Sequence, residues 1–310
     1  MKQDAWRRLP ASYPLHGEIV PRYTDVDVWQ HLNNTALISM HAEACQRWLR
    51  GVFGPTVWRD AQPAIAKRAS ATDFLGEAHY PEPLATGVRL VGVDDTGFRL
   101  ASALFQHGRC VGLQETTLGV WSGGAHGRLA GPPQPLPGAV AQALQAAACA
   151  QAPLAEPVAP PPVQPAPPRL ADFPWQAEVM SRFADSDARG VTSDTSLARA
   201  TEQTRAQFLG QWLGPERMSE PTGFMVAHVE LHWLQRGRPP AQWRVGCGVT
   251  RLGERSLALR GALFDGDTCV AVGDTVMAAI DRAARRPAPL PEAVRAQLAT
   301  CLLPAVATGH

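Results

Sequence analysis

After Asn33 the chain sets Leu37, Met40, Ala44, Trp48 and Val52 at three- and four-residue spacing, a pattern that gives a helix one apolar face. Asn33 or Asn34 is placed to cap that helix, since an Asn side chain accepts from the unpaired amides of a first turn, and Gly51 and Gly54-Pro55 are expected to stop it. Leu15 to Tyr23 alternates like a strand, with Pro21 suited to its end. Strand character returns in Ala64 to Phe74, Thr86 to Val93, Phe98 to Gln106 and Arg109 to Trp121. Asp94 to Gly97 and His107-Gly108 separate the last three as hairpin turns. The order is strand, helix, antiparallel meander, and a helix with a wide apolar face must pack on the sheet that follows it.

The same order then recurs. At a shift of 160, Arg22, Asp25, Asp27, Thr35, Leu37 and Leu49 return as Arg182, Asp185, Asp187, Thr195, Leu197 and Leu209. At 159, Ala103-Leu104-Phe105 and Cys110-Val111 return as Ala262-Leu263-Phe264 and Cys269-Val270, and at 154 Pro133 to Leu144 matches Pro287 to Leu298. Three collinear matches mark a duplicated domain rather than a short-repeat solenoid. The second copy predicts a strand over Glu178 to Phe183, a helix over Asp194 to Trp212, and strands over Gly223 to Trp233, Trp243 to Leu252, Ser256 to Phe264 and Thr268 to Ile280. Between the copies, Gly131 to Arg169 is rich in proline and alanine and reads as an extended linker, preceded by a short helix over Leu136 to Ala148. The expected division is one domain over 12–148, a linker over 149–170 and a second domain over 171–303.

Composition narrows the function. Twenty-nine basic against 28 acidic residues leave the chain near neutral, without the basic stripe of a nucleic-acid binder. Six cysteines are scattered without metal spacing, so buried free thiols and no metal are expected. His228 and His232 share a strand face but lack a third ligand. MKQDAWRRLP has no apolar signal core, and no run of about 18 apolar residues exists, which makes a cytoplasmic protein the expectation.

The run Asp25-Val26-Asp27, followed by His31-Leu32-Asn33-Asn34 and the helix, resembles the hot-dog-fold thioesterases, and among them the 4-hydroxybenzoyl-CoA thioesterase group and its acyl-CoA and acyl-ACP relatives. The resemblance spans most of the chain twice. It implies an α+β fold of two hot-dog domains, each a curved antiparallel sheet around a long central helix, paired within the chain as a dimer's subunits would be. It also implies a thioesterase acting on an acyl-CoA or acyl-ACP without a cofactor, nucleic acid or membrane as partner, and leaves room for a homo-oligomer of such chains. In that group the second aspartate of the pair is catalytic, which falls here on Asp27 and Asp187. Plant-type acyl-ACP thioesterases carry a related pattern that would engage Asp27 and His31, with Trp29 standing where that pattern has asparagine.

Thioester hydrolysis needs a carboxylate to attack or to activate water, and dipoles to stabilise the oxyanion. A helix start supplies the dipoles around Asn33, Asn34 and Thr35, which become candidate substrate contacts together with Glu43 on the helix. His31 is a candidate to orient water or donate to the carbonyl, and Val191 in its place in the second copy makes the two loops unequal. Asp25 and Asp185, sharing the repeat with Arg22 and Arg182, read as loop-holding groups. Turn-forming aspartates, a solvated Glu43 and tryptophans serving only as core are the plainer alternatives. Beside the hydrolase stands a noncatalytic acyl-thioester-binding protein in which the loops persist for folding alone; a hot-dog dehydratase lacks its own signature here.

Overall fold

The computed structural model describes residues 1, 3–59, 63–121, 129, 131–161, 163–213, 222–284 and 286–304. They divide into two compact units: Met1–Gln164 with Ala184–Ser196 and Gln235–Arg238, and Pro165–Phe183 with Leu197–Leu234 and Pro239–His310. The second copy's aspartate loop and the first residues of its helix therefore cluster with unit 1.

In unit 1 the strands are β1 (Leu15–Ile19), β2 (Ala64–Phe74), β3 (Leu84–Asp94), β4 (Gly97–Gln106) and β5 (Arg109–Trp121), ordered β1-β3-β4-β5-β2 and all antiparallel. Helix α1 (Asn34–Phe53) lies on one face of this sheet, and α2 (Gly138–Cys149) adds Val140 and Leu144 to the same core. The expected helix face is the buried one: Leu37 and Met40 pack with Leu84 and Leu104, and Ala44 and Trp48 with Phe98 and Leu118. Gly51 lies within the helix, and the stop falls at Gly54, whose φ of 99° takes the chain where a residue with a Cβ is strained. β1 ends at Ile19 rather than Tyr23, since Pro21 cannot extend the ladder and Tyr23–Asp25 closes into a 3-10 turn.

Unit 2 repeats the succession with β6 (Trp175–Met180), α3 (Asp194–Leu213), β7 (Thr222–Trp233), β8 (Gln242–Leu252), β9 (Ser256–Asp265) and β10 (Thr268–Asp281), ordered β6-β8-β9-β10-β7. A two-residue β11 (Arg286–Pro287) pairs with β10, and α4 (Glu292–Ala299) follows. β6 begins three residues before the expected strand and stops at Met180, as β1 stops at Ile19. Even the irregularities recur: register shifts at Leu90/Gly92 and Val249/Arg251 fall at matching places of the two sheets.

On the sheet face away from α1, Tyr13 lies against Gly87, where a Cβ would come within 2.6 Å of the ring. Phe173 lies on Gly246 in the same way, at 2.5 Å, so each copy seats an aromatic ring on a strand glycine. Tyr13 Oη donates to the Arg7 carbonyl oxygen, and Arg7 and Arg99 hold Glu115 between them at 2.6 Å each. β1 covers only Leu84 to Val88 of β3. Beyond it the linker runs alongside, with Arg89 donating to the Ala152 carbonyl, Gln151 Nε2 to the Leu90 carbonyl at 2.6 Å and Arg99 Nη1 to the Ala159 carbonyl at 2.7 Å.

Candidate functional site

The first loop is a tight hairpin placed before α1. Asp27 N donates to the His31 carbonyl at 3.0 Å and Gln30 N to the Asp27 carbonyl at 3.0 Å, while Val26 and Leu32 form a bridge behind them. Gln30 turns the corner with φ 65°, in the left-handed region. The loop is fastened to the body by Leu32 N donating to the Ala78 carbonyl at 2.7 Å and Asn33 N to the Asp25 carbonyl at 2.8 Å. Asp25 is spent on folding: its carboxylate accepts from Arg22 N at 2.8 Å and from the Arg22 guanidinium at 2.9 and 3.3 Å.

Asp27 Oδ1 accepts from Trp29 N at 2.8 Å, which fixes the side chain, and Oδ2 lies 3.6 Å from His31 Nδ1. Both side chains are 17% exposed, so each is sheltered yet reachable. His31 Nδ1 is also 3.2 Å from the Leu32 carbonyl oxygen. A carbonyl only accepts, so this contact puts the ring proton on Nδ1 and leaves the lone pair on Nε2.

Asn33 is the helix cap, with Oδ1 accepting from Thr35 N at 2.7 Å and Thr35 Oγ1 at 2.8 Å. Of the first-turn amides that no α-helix can pair internally, Thr35 N is thus taken by the cap. Glu43 stands nine residues further on, about 13 Å along the axis by helical rise. It is exposed and paired with Arg47 at 2.9 Å, whose Nη1 donates to the Glu18 carbonyl at 2.7 Å. The structure therefore brings Asp27, His31, Asn33, Asn34 and Thr35 together and sets Glu43 apart.

The second loop has the same backbone and different neighbours around its aspartate. Asp187 N donates to the Val191 carbonyl at 2.8 Å and Gly190 N to the Asp187 carbonyl at 2.9 Å, with Gly190 at φ 75° where the first loop has Gln30. Here Arg189 lies against the aspartate: its Nε and Nη2 reach Asp187 Oδ2 at 3.3 and 3.2 Å, its backbone N donates to Oδ1 at 2.8 Å, and its Nη1 donates to the Ile65 carbonyl at 3.0 Å. Val191 N adds a further contact to Oδ1 at 3.2 Å. Asp194, which the repeat aligns with Asn34, is paired with Arg236 at 2.5 Å and lies 3.7 Å from Lys67 Nζ. Burial pushes its carboxyl up, but Arg236, Lys67 and Arg189 outweigh burial and hold it at about 2.

Among the described residues there is no group of three or more His, Cys, Asp or Glu side chains arranged to hold a metal. His228 and His232 flank Glu230, which the strand alternation puts on their face, and His232 Nε2 lies 2.6 Å from Glu230 Oε1. All six cysteines are free. Among the described residues, no helix is long and apolar enough to cross a membrane.

No protein-family model and no curated protein sequence matches the chain. Solved structures do. A protein described as an oleoyl thioesterase from Lactobacillus plantarum superposes with a TM-score of 0.66 at 11% identity, over 88% of this chain and 99% of its own. A 12:0-ACP thioesterase from Umbellularia californica gives 0.64 at 11%, over 86% and 97%, and an acyl-ACP thioesterase from Bacteroides thetaiotaomicron 0.60 at 10%, over 85% and 97%. At such identity the likeness is one of fold. The chain has the α+β architecture of two hot-dog domains in tandem, as its repeated topology and the near-complete cover of these neighbours require.

Proposed function

We propose that the chain is a thioesterase that hydrolyses an acyl-CoA or acyl-ACP thioester at the first loop. The observation that carries this reading is Asp27 Oδ2 set 3.6 Å from His31 Nδ1 in front of a helix start capped by Asn33. Asp27 Oδ2 takes the proton of an attacking water as the water's oxygen adds to the thioester carbon, and the carbonyl oxygen gathers negative charge against the helix amides. Collapse of the tetrahedral intermediate expels the thiolate, which leaves as the thiol on regaining a proton. His31, with its lone pair on Nε2, orients the water. Asn33 keeps the amides in place, and Thr35 completes the cap.

In this proposal Asp187 is a fastening group, because Arg189 and two backbone amides occupy both of its oxygens. The test is thiol release from a panel of short, long and aromatic acyl-CoAs. Asp27→Asn is expected to lower the rate about 100- to 10,000-fold, the usual range for a lost general base, with binding little changed, and Asp187→Asn to keep most of the activity. Full activity in Asp27→Asn refutes the assignment. Acyl-CoA binding with no thiol release by the wild type would instead support a noncatalytic binding protein.

A further inference from the structure

Just past the stretch of β3 that β1 covers stands Arg89, of which only 5% is exposed. Its Nη1 donates to the Ser12 carbonyl oxygen at 2.8 Å and its Nη2 to that of Ala152, both neutral acceptors. Its Nε, itself buried, has no hydrogen-bond partner among the described residues. Burial lowers the pKa of the guanidinium, and among the described residues Tyr13 alone, not a carboxylate, opposes that shift. An arginine is almost never buried so deeply without a paired acid, because a covered charge has lost its water and needs a counter-charge in exchange.

Arg89 lines a cavity of about 550 Å³. β3 from Arg89 to Val93 forms its floor, and the linker from Gln151 to Val158 forms its roof. The linker is fastened on either side of it, by Gln151 and Ala152 at one end and by the Ala159 carbonyl, which accepts from Arg99, at the other. Between these anchors, residues 153–158 make no hydrogen bond among the described residues. Leu154 and Val158 turn partly inward with Pro153 and Pro157 beside them, and the second charge on the walls is the exposed Glu156. Aliphatic walls, one placed polar group and a volume within about 300–1,000 Å³ are the usual features of a small-molecule site.

The duplication supplies an internal control. The matching bulges of the two sheets set Gly248 where Arg89 stands. Leu303 packs on that glycine, where a Cβ would come within 2.6 Å of it, and Val249 bonds to Cys301 and Leu303 at 2.9 and 2.8 Å. Unit 2 thus seats a leucine of its own chain at this place, so the fold does not call for a cation there.

We propose that the cavity binds a fatty acid, with its carboxylate on Arg89 Nε and its chain against Val93, Leu154 and Val158. One guanidinium balances one negative charge, and Glu156 disfavours a second, which selects a carboxylate over a phosphate. The walls carry no aromatic ring, and Gln151 is already engaged with the Leu90 carbonyl, which selects an aliphatic body. The site lies apart from the first loop: Leu32 packs with Leu84 at the start of β3, and Arg89 is five residues further on, about 17 Å by strand rise. It therefore does not rest on the thioesterase reading.

Decanoate and 1-decanol, titrated calorimetrically into the full chain, test the charge; decanoate with a diazirine at its far end, located by mass spectrometry after irradiation, tests the place. Decanoate is expected to bind at least about tenfold more tightly than decanol, as a charge-assisted hydrogen bond provides. The label is expected on peptides spanning 89–93 or 148–158. Arg89→Gln, with folding checked by thermal melting, should remove both the preference and the label. Leu154→Trp, which fills the cavity from the linker, should remove the label with the guanidinium intact, and Glu156→Gln should tighten decanoate. Equal binding of decanoate and decanol, no binding of decanoate, labelling confined to other peptides, or labelling that persists in both Arg89→Gln and Leu154→Trp overturns the proposal. Thiol release from the acyl-CoA panel is read separately: an inactive chain that takes the label under its linker refutes the hydrolase and keeps this site, and an active chain that takes no label there does the reverse.

Discussion

Replacing Asp194 by asparagine tests the second loop's charge arrangement in its own right. The side chain is held by Arg236 at 2.5 Å and faces Lys67 at 3.7 Å. Although burial raises its pKa, these cations and Arg189 bring it from 3.8 to about 2. A folded-state pKa below the unfolded one stabilises the fold at every pH above the unfolded value, and that contribution disappears as pH falls through the folded value. The interval of nearly two pKa units corresponds to about 2 kcal/mol. Asn keeps the shape and loses the charge. At neutral pH Asp194→Asn should therefore melt about 4–8 °C below the wild type, taking about 2–4 °C per kcal/mol for a protein of this size class. Melts followed by circular dichroism at a series of pH values should show the gap constant above about pH 4 and closing towards pH 2. An unchanged melting temperature at neutral pH, or a gap that persists undiminished at about pH 2, refutes the reasoning.

Three further outcomes are expected. Gly87→Ala and Gly246→Ala force a Cβ to within 2.6 and 2.5 Å, respectively, of a buried aromatic ring, and each should cost about 1–3 kcal/mol in chemical denaturation as an overpacked contact. Asn33→Ala removes the acceptor of Thr35 N and Oγ1 and should lose about 1 kcal/mol by the same measurement, with a fall in thiol release where the helix start is the oxyanion donor. Arg189→Gln releases Asp187 from its ion pair; melting is expected to drop slightly while turnover at the first loop holds, and a turnover loss as large as that of Asp27→Asn would contradict the one-loop proposal.

Much of this was legible in the sequence because periodicity reports which way a side chain points. The spacing from Leu37 to Trp48 gave the buried face of α1, and Asp94 to Gly97 gave the β3–β4 turn. What periodicity does not report is which buried side chains meet across strands. His41 meets Ser102 and Gln114 meets Thr72 across 61 and 42 residues of chain, and nothing in their local patterns marks them as neighbours. Arg189 carries no signal in the sequence for the opposite reason: it is two residues from Asp187, and a loop arginine is unremarkable unless its guanidinium folds back, as it does here. The glycines under Tyr13 and Phe173 were legible after the fact, since Tyr13-Pro14 and Phe173-Pro174 repeat at the same shift of 160 as the aspartates.

The linker alongside β3 bears on solubility. A strand margin that β1 leaves bare is a template on which a second chain can dock, and chains that dock in this way aggregate. The stretch that shields it contains Pro153, Pro157 and Pro160, none of which has an N–H to offer a newcomer, while Gln151 ties it down through a side chain rather than through a ladder. A chain shortened there would keep its chemistry and lose its reserve against clumping.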